Sequence, residues 1–337
     1  MNKKNVVICL ASVCVIILCI AKADARKIPF GEPTAELLVM GLEGGSGSAI
    51  GPGGALYVTK ANAGRISRVD TRTGKITTFA SGLPKRIQGF PFGGVVDVAF
   101  IGKTAYALVT LVGPDVGGSD IVGIYRVDGP DSFTVVADIG AFNSQNPPTI
   151  LFPFFVPSGA QYALEAYRGG FLVTDGHLNR VLRVSLDGEV TELIGFGNIV
   201  PTGLAVSGNT VYMAEAGPIP HLPEDGKVVS FGVKLPIVEE VASGAPLVVD
   251  VEFGRGRRLY ALSQGPGEQG APDGSPALPN TGALLEVNED RTFTVIVDGL
   301  DRPTSFEFIG NTAYVVTYGG EIWKIENVSG PPYGVSH

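Results

Sequence analysis

The sequence predicts an all-β protein, a six-bladed β-propeller of four-stranded antiparallel blades whose last blade is closed by the N-terminal strand. Three observations carry that prediction. A phrase of strand, loop, strand, tight turn and strand recurs six times. Gly and Pro are abundant, at 47 and 24 residues, and no long helical pattern occurs; a closed array of short strands needs that composition. Finally, one strand-like segment near the N-terminus stands without a partner, while the last unit lacks its fourth strand.

The phrase is cleanest in Ala55-Leu56-Tyr57-Val58-Thr59, followed by Arg65-Ile66-Ser67-Arg68-Val69, a turn at Thr73-Gly74, and Lys75-Ile76-Thr77-Thr78-Phe79. Phe171-Leu172-Val173-Thr174 leads in the same way to Arg180-Val181-Leu182-Arg183-Val184, a turn at Asp187-Gly188, and Val190-Thr191-Glu192-Leu193-Ile194. Asx-Gly and Gly turns supply the positive φ that tight hairpins demand. A marker residue in each second strand (Tyr57, Tyr106, Leu172, Tyr212, Tyr260, Tyr314) recurs at intervals of 49, 66, 40, 48 and 54 residues. A minimal blade is therefore 40 residues, and the excess is insertion.

Taken in order, residues 1–25 have the form of a cleaved signal peptide. Lys3 and Lys4 precede an apolar run from Val6 to Ile20, which is short for a membrane span, and Ala23-Asp24-Ala25 supplies a cleavage site. Residues 26–34 are a lead-in, 35–327 the propeller and 328–337 a C-terminal tail. The lone strand Ala35–Val39 matches the fourth strands expected at Phe133–Val135, Val190–Ile194, Ile237–Val241 and Phe293–Val297. It would fill the gap after Glu321–Ile325, removing an open sheet edge. First strands are expected at Ser48–Ile50, Val95–Phe100, Tyr162–Ala166, Gly203–Val206, Val248–Phe253 and Ser305–Phe308.

Cys9, Cys14 and Cys19 all lie in the leader, so the mature chain has no disulfide, thiolate metal site or cysteine nucleophile. Without the leader's three Lys and one Asp, 22 basic and 32 acidic residues remain. That acidity disfavours nucleic acid and anionic lipid as partners and fits a soluble exported monomer, secreted or held in the periplasm or cell envelope, with no stable membrane span once the leader is removed.

The insertions run from Lys85 to Gly94, Gly113 to Asp120, Phe142 to Gly159, Gly217 to Gly226 and Gly265 to Gly282. In an up-and-down blade all five emerge on one face, where binding loops usually sit. Two are unusually apolar: Gly89-Phe90-Pro91-Phe92 and Leu151-Phe152-Pro153-Phe154-Phe155-Val156-Pro157. They either pack on one another as a lid over the central channel or form an apolar patch that receives a ligand or partner.

Carboxylates interrupt otherwise apolar first strands at Asp97, Glu165, Asp250, Glu252 and Glu307. First strands line the channel of a propeller, so Asp97, Glu165 and Asp250 could supply oxygen ligands to Ca²⁺ or Mg²⁺. Alternatively they bond backbone or Arg groups of neighbouring blades and never meet. In Thr174-Asp175-Gly176-His177-Leu178-Asn179, the residues Asp175, His177 and Asn179 could act as acid–base groups or ligands, or simply cap a turn. Glu215 and His221 occupy the corresponding loop of blade four.

Several stretches resemble the ScyD/ScyE family. Gly170 to Val184 does so through Gly-Phe-Leu-Val-Thr-Asp-Gly-His-Leu-Asn-Arg-Val-Leu-Arg-Val, and Val211 to Phe231 through Glu-Ala-Gly-Pro-Ile-Pro-His-Leu-Pro-Glu-Asp-Gly. Ile124 to Phe133 and Gly299 to Ser305 add to the likeness, which spans nearly the whole mature chain. The resemblance implies an exported bacterial six-bladed propeller with NHL-like repeats and no settled reaction; more distantly the blades resemble those of gluconolactonases. Two functions follow. One is a binding propeller that holds a small molecule, glycan or protein partner on its long-loop face. The other is a metal-dependent hydrolase, lactonase or lyase with Asp97, Glu165, Asp250 and His177 at the channel mouth.

Overall fold

The computed structural model describes residues 31–148, 155–268, 270–271 and 275–328. It consists of six four-stranded antiparallel sheets. Blade 1 runs outward from the axis through Gly45–Ile50, Leu56–Lys60, Arg65–Val69 and Ile76–Ser81, and blade 2 through Gly94–Ile101, Thr104–Thr110, Gly123–Gly129 and Ser132–Asp138. Blade 3 comprises Gln161–Tyr167, Gly170–Asp175, Arg180–Ser185 and Val190–Gly195; blade 4 comprises Pro201–Ser207, Thr210–Glu215, Gly226–Gly232 and Glu239–Ala245. Blade 5 is Val248–Phe253, Leu259–Ser263, Gly282–Val287 and Phe293–Leu300. Blade 6 uses Pro303–Ile309, Thr312–Thr317 and Ile322–Glu326, and its fourth strand is Thr34–Val39. The closure pairs Ala35 with Ile325 and Leu37 with Trp323. Each inner strand packs on the next, and the sixth on the first, so the ring is closed.

The second-strand marker turns out to be an inter-blade contact. Tyr57 packs on Phe100 of the next blade (4.7 Å between centroids), Tyr106 on Phe171 (4.8 Å), Tyr212 on Phe253 (5.2 Å) and Tyr260 on Phe308 (5.0 Å). Around them the core is mainly aliphatic: Ile66, Val95, Val98 and Val109 between blades 1 and 2, and Leu172, Leu204 and Val211 between blades 3 and 4. Tilted and edge-on aromatic pairs of this kind add about 0.5–1.5 kcal/mol each beyond their buried area.

A second set of contacts fastens every seam close to the axis. Thr59 Oγ1 reaches Val96 O across the first seam (3.0 Å), and Leu164 N donates to Asp97 Oδ2 across the second (2.7 Å). Thr174 Oγ1 donates to Thr202 O (2.6 Å), Thr202 Oγ1 to Val248 O (2.9 Å), and Phe306 N to Asp250 Oδ2 (3.0 Å). Thr304 Oγ1 closes the circle on Ser46 O (2.8 Å). Four hydroxyls and two carboxyls thus tie six blades.

Two segments depart from the sequence-based expectation. The fourth strand of blade 4 is Glu239–Ala245 rather than Ile237–Val241. Its inward positions are the small Ala242 and Ala245, which carry little hydrophobic signal, whereas Ile237 is 63 % exposed in the preceding turn. The insertion after blade 2 begins with a short helix, Ile139–Gln145, whose first turn is capped by Asp138 Oδ1 accepting from Ala141 N (2.8 Å). Among the described residues no helix is long and apolar enough to cross a membrane. The leader (residues 1–25), Leu151 to Phe154 of the second apolar loop, and the end of the tail lie outside the described residues.

Candidate functional site

Strand pairing places first-strand residues in levels along the axis. Ala49, Ala99, Glu165, Ala205, Glu252 and Glu307 lie opposite the six second-strand markers and form one level. Two residues earlier come Gly47, Asp97, Ala163, Gly203, Asp250 and Ser305. In this level blades 1–3 read Gly-Asp-Ala and blades 4–6 read Gly-Asp-Ser, a two-fold pattern that the hydrogen bonds share. Asp97 accepts from Val98 N (2.8 Å) and Leu164 N, and Asp250 from Val251 N (2.9 Å) and Phe306 N. The glycines make room for them, since a Cβ on Gly47 would lie 2.1 Å from Asp97 Oδ1 and one on Gly203 2.2 Å from Asp250 Oδ1.

These two levels wall a channel cavity of about 290 Å³ lined by Asp97, Glu165, Asp250, Glu252 and Glu307. Enclosure by protein raises all five carboxyls, because the charged form loses its hydration. Glu165 rises to about 7 through burial with Asp250 adding repulsion, and Asp250 rises to about 7 through burial against two backbone hydrogen bonds. Asp97, Glu252 and Glu307 are held well above the usual carboxylate range, again mainly by burial.

The structure does not assemble the metal site considered from the sequence. Asp97 and Asp250 sit three blades apart and each spends both oxygens on backbone N–H groups. Glu165 lies on the other level, and no group of three or more His, Cys, Asp or Glu side chains among the described residues is arranged to hold a metal. Seam-tying, the alternative, is what the two aspartates do.

Above the channel, on the face that carries the long loops, opens a larger basin of about 680 Å³. Every blade contributes to its wall, from Asn62 of blade 1 to Tyr318 of blade 6. The first apolar loop forms one side through Phe90, Pro91 and Phe92, with Phe92 stacked on Tyr162 (5.4 Å, 15°). Ile219 and Pro220 form another, clamped by Asn198, which donates to Ile219 O (2.8 Å) and accepts from Ile219 N (3.0 Å). Tyr162, Ser46 and Thr304 line both spaces and make the floor between them. Long loops are fixed rather than loose: Ser158 N donates to Asp115 Oδ2 (2.8 Å), joining two insertions.

His177, Asn179 and His221 line this basin, as expected for the insertion face. His177 Nε2 accepts from Val156 N (2.8 Å), and burial lowers its pKa with Asp175 opposing, so the neutral ring pins the loop. Asn179 Oδ1 accepts from Ile199 N (2.9 Å) and Val200 N (2.8 Å), which anchors the next loop. Asp175 is fully buried behind the wall, accepting from Asn143 Nδ2, Gln161 Nε2, Ala160 N and Leu178 N. Its neighbour Asn143 also receives Arg180 Nη2 (2.7 Å), making a buried framework. Glu215 is buried at the end of its strand opposite Lys227, with its carboxyl pushed up to about 7 by burial and drawn down by that lysine. The channel carboxyls and His177 therefore belong to different chambers.

Sequence reasoning overlooked Arg86, Tyr162 and Tyr318. Arg86 donates to Pro91 O (2.9 Å) and to Tyr318 Oη (2.7 Å) and lies over the Tyr318 ring (5.6 Å). A basic residue at the head of an otherwise apolar insertion was the signal available for it.

No family model matches the chain, and no curated protein does. Solved structures do. Over 88 % of this chain and 90 % of the other, the fold superposes on a gluconolactonase from Xanthomonas campestris (TM-score 0.61, 12 % identity). A PQQ-bound aldose sugar dehydrogenase from Streptomyces coelicolor gives TM-score 0.60 at 15 % identity, covering 88 % of this chain and 98 % of that one. Virginiamycin B lyase from Staphylococcus aureus gives 0.54 at 14 %, covering 88 % and 99 %. Lyase, lactonase and dehydrogenase differ in chemistry; what they share with this chain is the propeller fold.

Proposed function

We propose that this chain is an exported ScyD/ScyE-like propeller of the periplasm or cell envelope that binds a small organic molecule in the basin on its long-loop face. The basin carries this reading: an open hollow of about 680 Å³ whose wall is mainly apolar, through Phe90, Phe92, Leu111, Val156, Ile219 and Leu247. The open surface of the wall is mainly apolar, which suits an apolar body better than a glycan. A protein partner needs a broader and flatter surface. The loops that shape the hollow are tied to one another, so a ligand meets a formed site and little ordering cost. Export follows from the leader and the acidic, cysteine-free mature chain.

Fluorescence titration with 1-pyrenebutyramide, a neutral polycyclic probe, tests the site. Saturable binding is expected, weakened about tenfold or more in Phe92→Asp, which removes a stacked ring and sets a carboxylate in the wall. Binding that ignores Phe92→Asp places the probe elsewhere and defeats the reading.

A further inference from the structure

Among the described residues, no acid lines the basin of this acidic protein. The chain has 33 Asp and Glu residues, yet none of the described residues lining the basin is one of them. Its lining holds a single guanidinium, Arg86. Arg302 also lies over the Tyr318 ring (5.6 Å), but is already paired with Asp301 (2.8 and 3.1 Å). Arg86 has no carboxylate partner among the described residues. Its Nη1 is spent on Pro91 O and Tyr318 Oη, whereas Nε and Nη2 carry no hydrogen bond there. Those two nitrogens form the side-on edge of the guanidinium, the edge that receives a carboxylate through two parallel hydrogen bonds. The stack on Tyr318 and the two Nη1 bonds fix the plane of that edge, so little ordering remains to be done on binding.

We infer that the ligand of this basin is an apolar body bearing one carboxylate, and that Arg86 receives the carboxylate while Phe90, Phe92 and Ile219 enclose the body. The inference rests on the basin being the binding site. The acidic channel beneath does not oppose it. Tyr162, Ser46 and Thr304 stand between the two spaces, and burial holds the carboxyls of Asp97, Glu252 and Glu307 well above the usual carboxylate range.

The test compares 1-pyrenebutyrate with 1-pyrenebutyramide, two probes of matched shape that differ in charge. Wild-type protein is expected to bind the carboxylate about tenfold or more tightly than the amide, since a charge-assisted pair in a partly desolvated site is worth at least that ratio. Arg86→Gln should bring the two probes to equal affinity, and Arg86→Lys should restore part of the preference. Equal binding of both probes by wild-type protein overturns the inference and leaves the basin reading intact. Failure of both probes to bind, or binding of both that Phe92→Asp does not change, overturns the two together. The wild-type ratio needs no variant, so a poorly folding Arg86→Gln does not remove the test.

Discussion

Five half-buried carboxyls along one axis, none of them in an ion pair among the described residues, give the protein an unusual pH profile. Each titrates higher in the fold than in the unfolded chain, where carboxyls ionise near 4. The folded state therefore holds more protons than the unfolded state between about pH 4 and pH 7, and stability falls as pH rises through that window. Glu215, also pushed up to about 7, acts in the same direction. His177, lowered by burial, acts oppositely and costs stability as pH falls below the ordinary histidine range. The surface carboxylates lowered by hydrogen bonds, among them Glu43, Asp70, Asp128 and Asp290, lose their contribution only below the ordinary carboxylate range. Six raised carboxyls outweigh one histidine, so the melting temperature is expected to climb as pH drops from about 8 to about 5 and to fall again below about 4. Glu165→Gln should flatten that slope. A melting temperature that rises from pH 5 to pH 8 in calorimetry contradicts this assignment. At this scale the sequence displayed the carboxyls but concealed their partners. Asp97 bonds Leu164 of the next blade, and the gap it occupies exists because residue 47, fifty positions upstream, has no side chain. Nothing in the local pattern around Asp97 announces either.

At the scale of elements, the closure by Thr34–Val39 was legible because an absence pointed to it: a strand without a neighbour and a blade without its last strand. Pairing with Ile322–Glu326 then follows from the need to satisfy an edge. Removing residues 34–39 should expose that edge and the face of Trp323. Such a chain is expected to associate on size-exclusion chromatography and to melt well below the intact protein; a monomer with unchanged melting would show that the closure contributes little. Two elements departed from the pattern because each carries too little periodic signal. Glu239–Ala245 faces inward through alanines, and Ile139–Gln145 is too short to establish a helical period, its one cue being the Asp138 cap. The apolar insertion Gly89–Phe92 was visible as an anomaly, but the stacking of Phe92 on Tyr162, far along the chain, was not.

The whole molecule divides its polar chemistry by depth. Carboxyls occupy the axis, hydroxyls and two aspartates fasten the seams, and a mainly apolar hollow opens on one face. The opposite face carries short hairpin turns such as Thr71–Gly74 and Leu186–Gly188. The ring and its long-loop face could be read from spacing alone, because insertions in an up-and-down blade can emerge only where its connections lie. Which side chains converge there could not, since Arg86 and Tyr318 are 232 residues apart in sequence. Hydrogen–deuterium exchange with and without saturating 1-pyrenebutyramide tests the location directly. Added protection is expected at 86–93, 156–162, 176–179 and 216–221, from loops of several blades at once, with no change at 71–74 or 186–188. Protection confined to the short-turn face or the outer strands, or no protection at saturation, would contradict a ligand site in the basin.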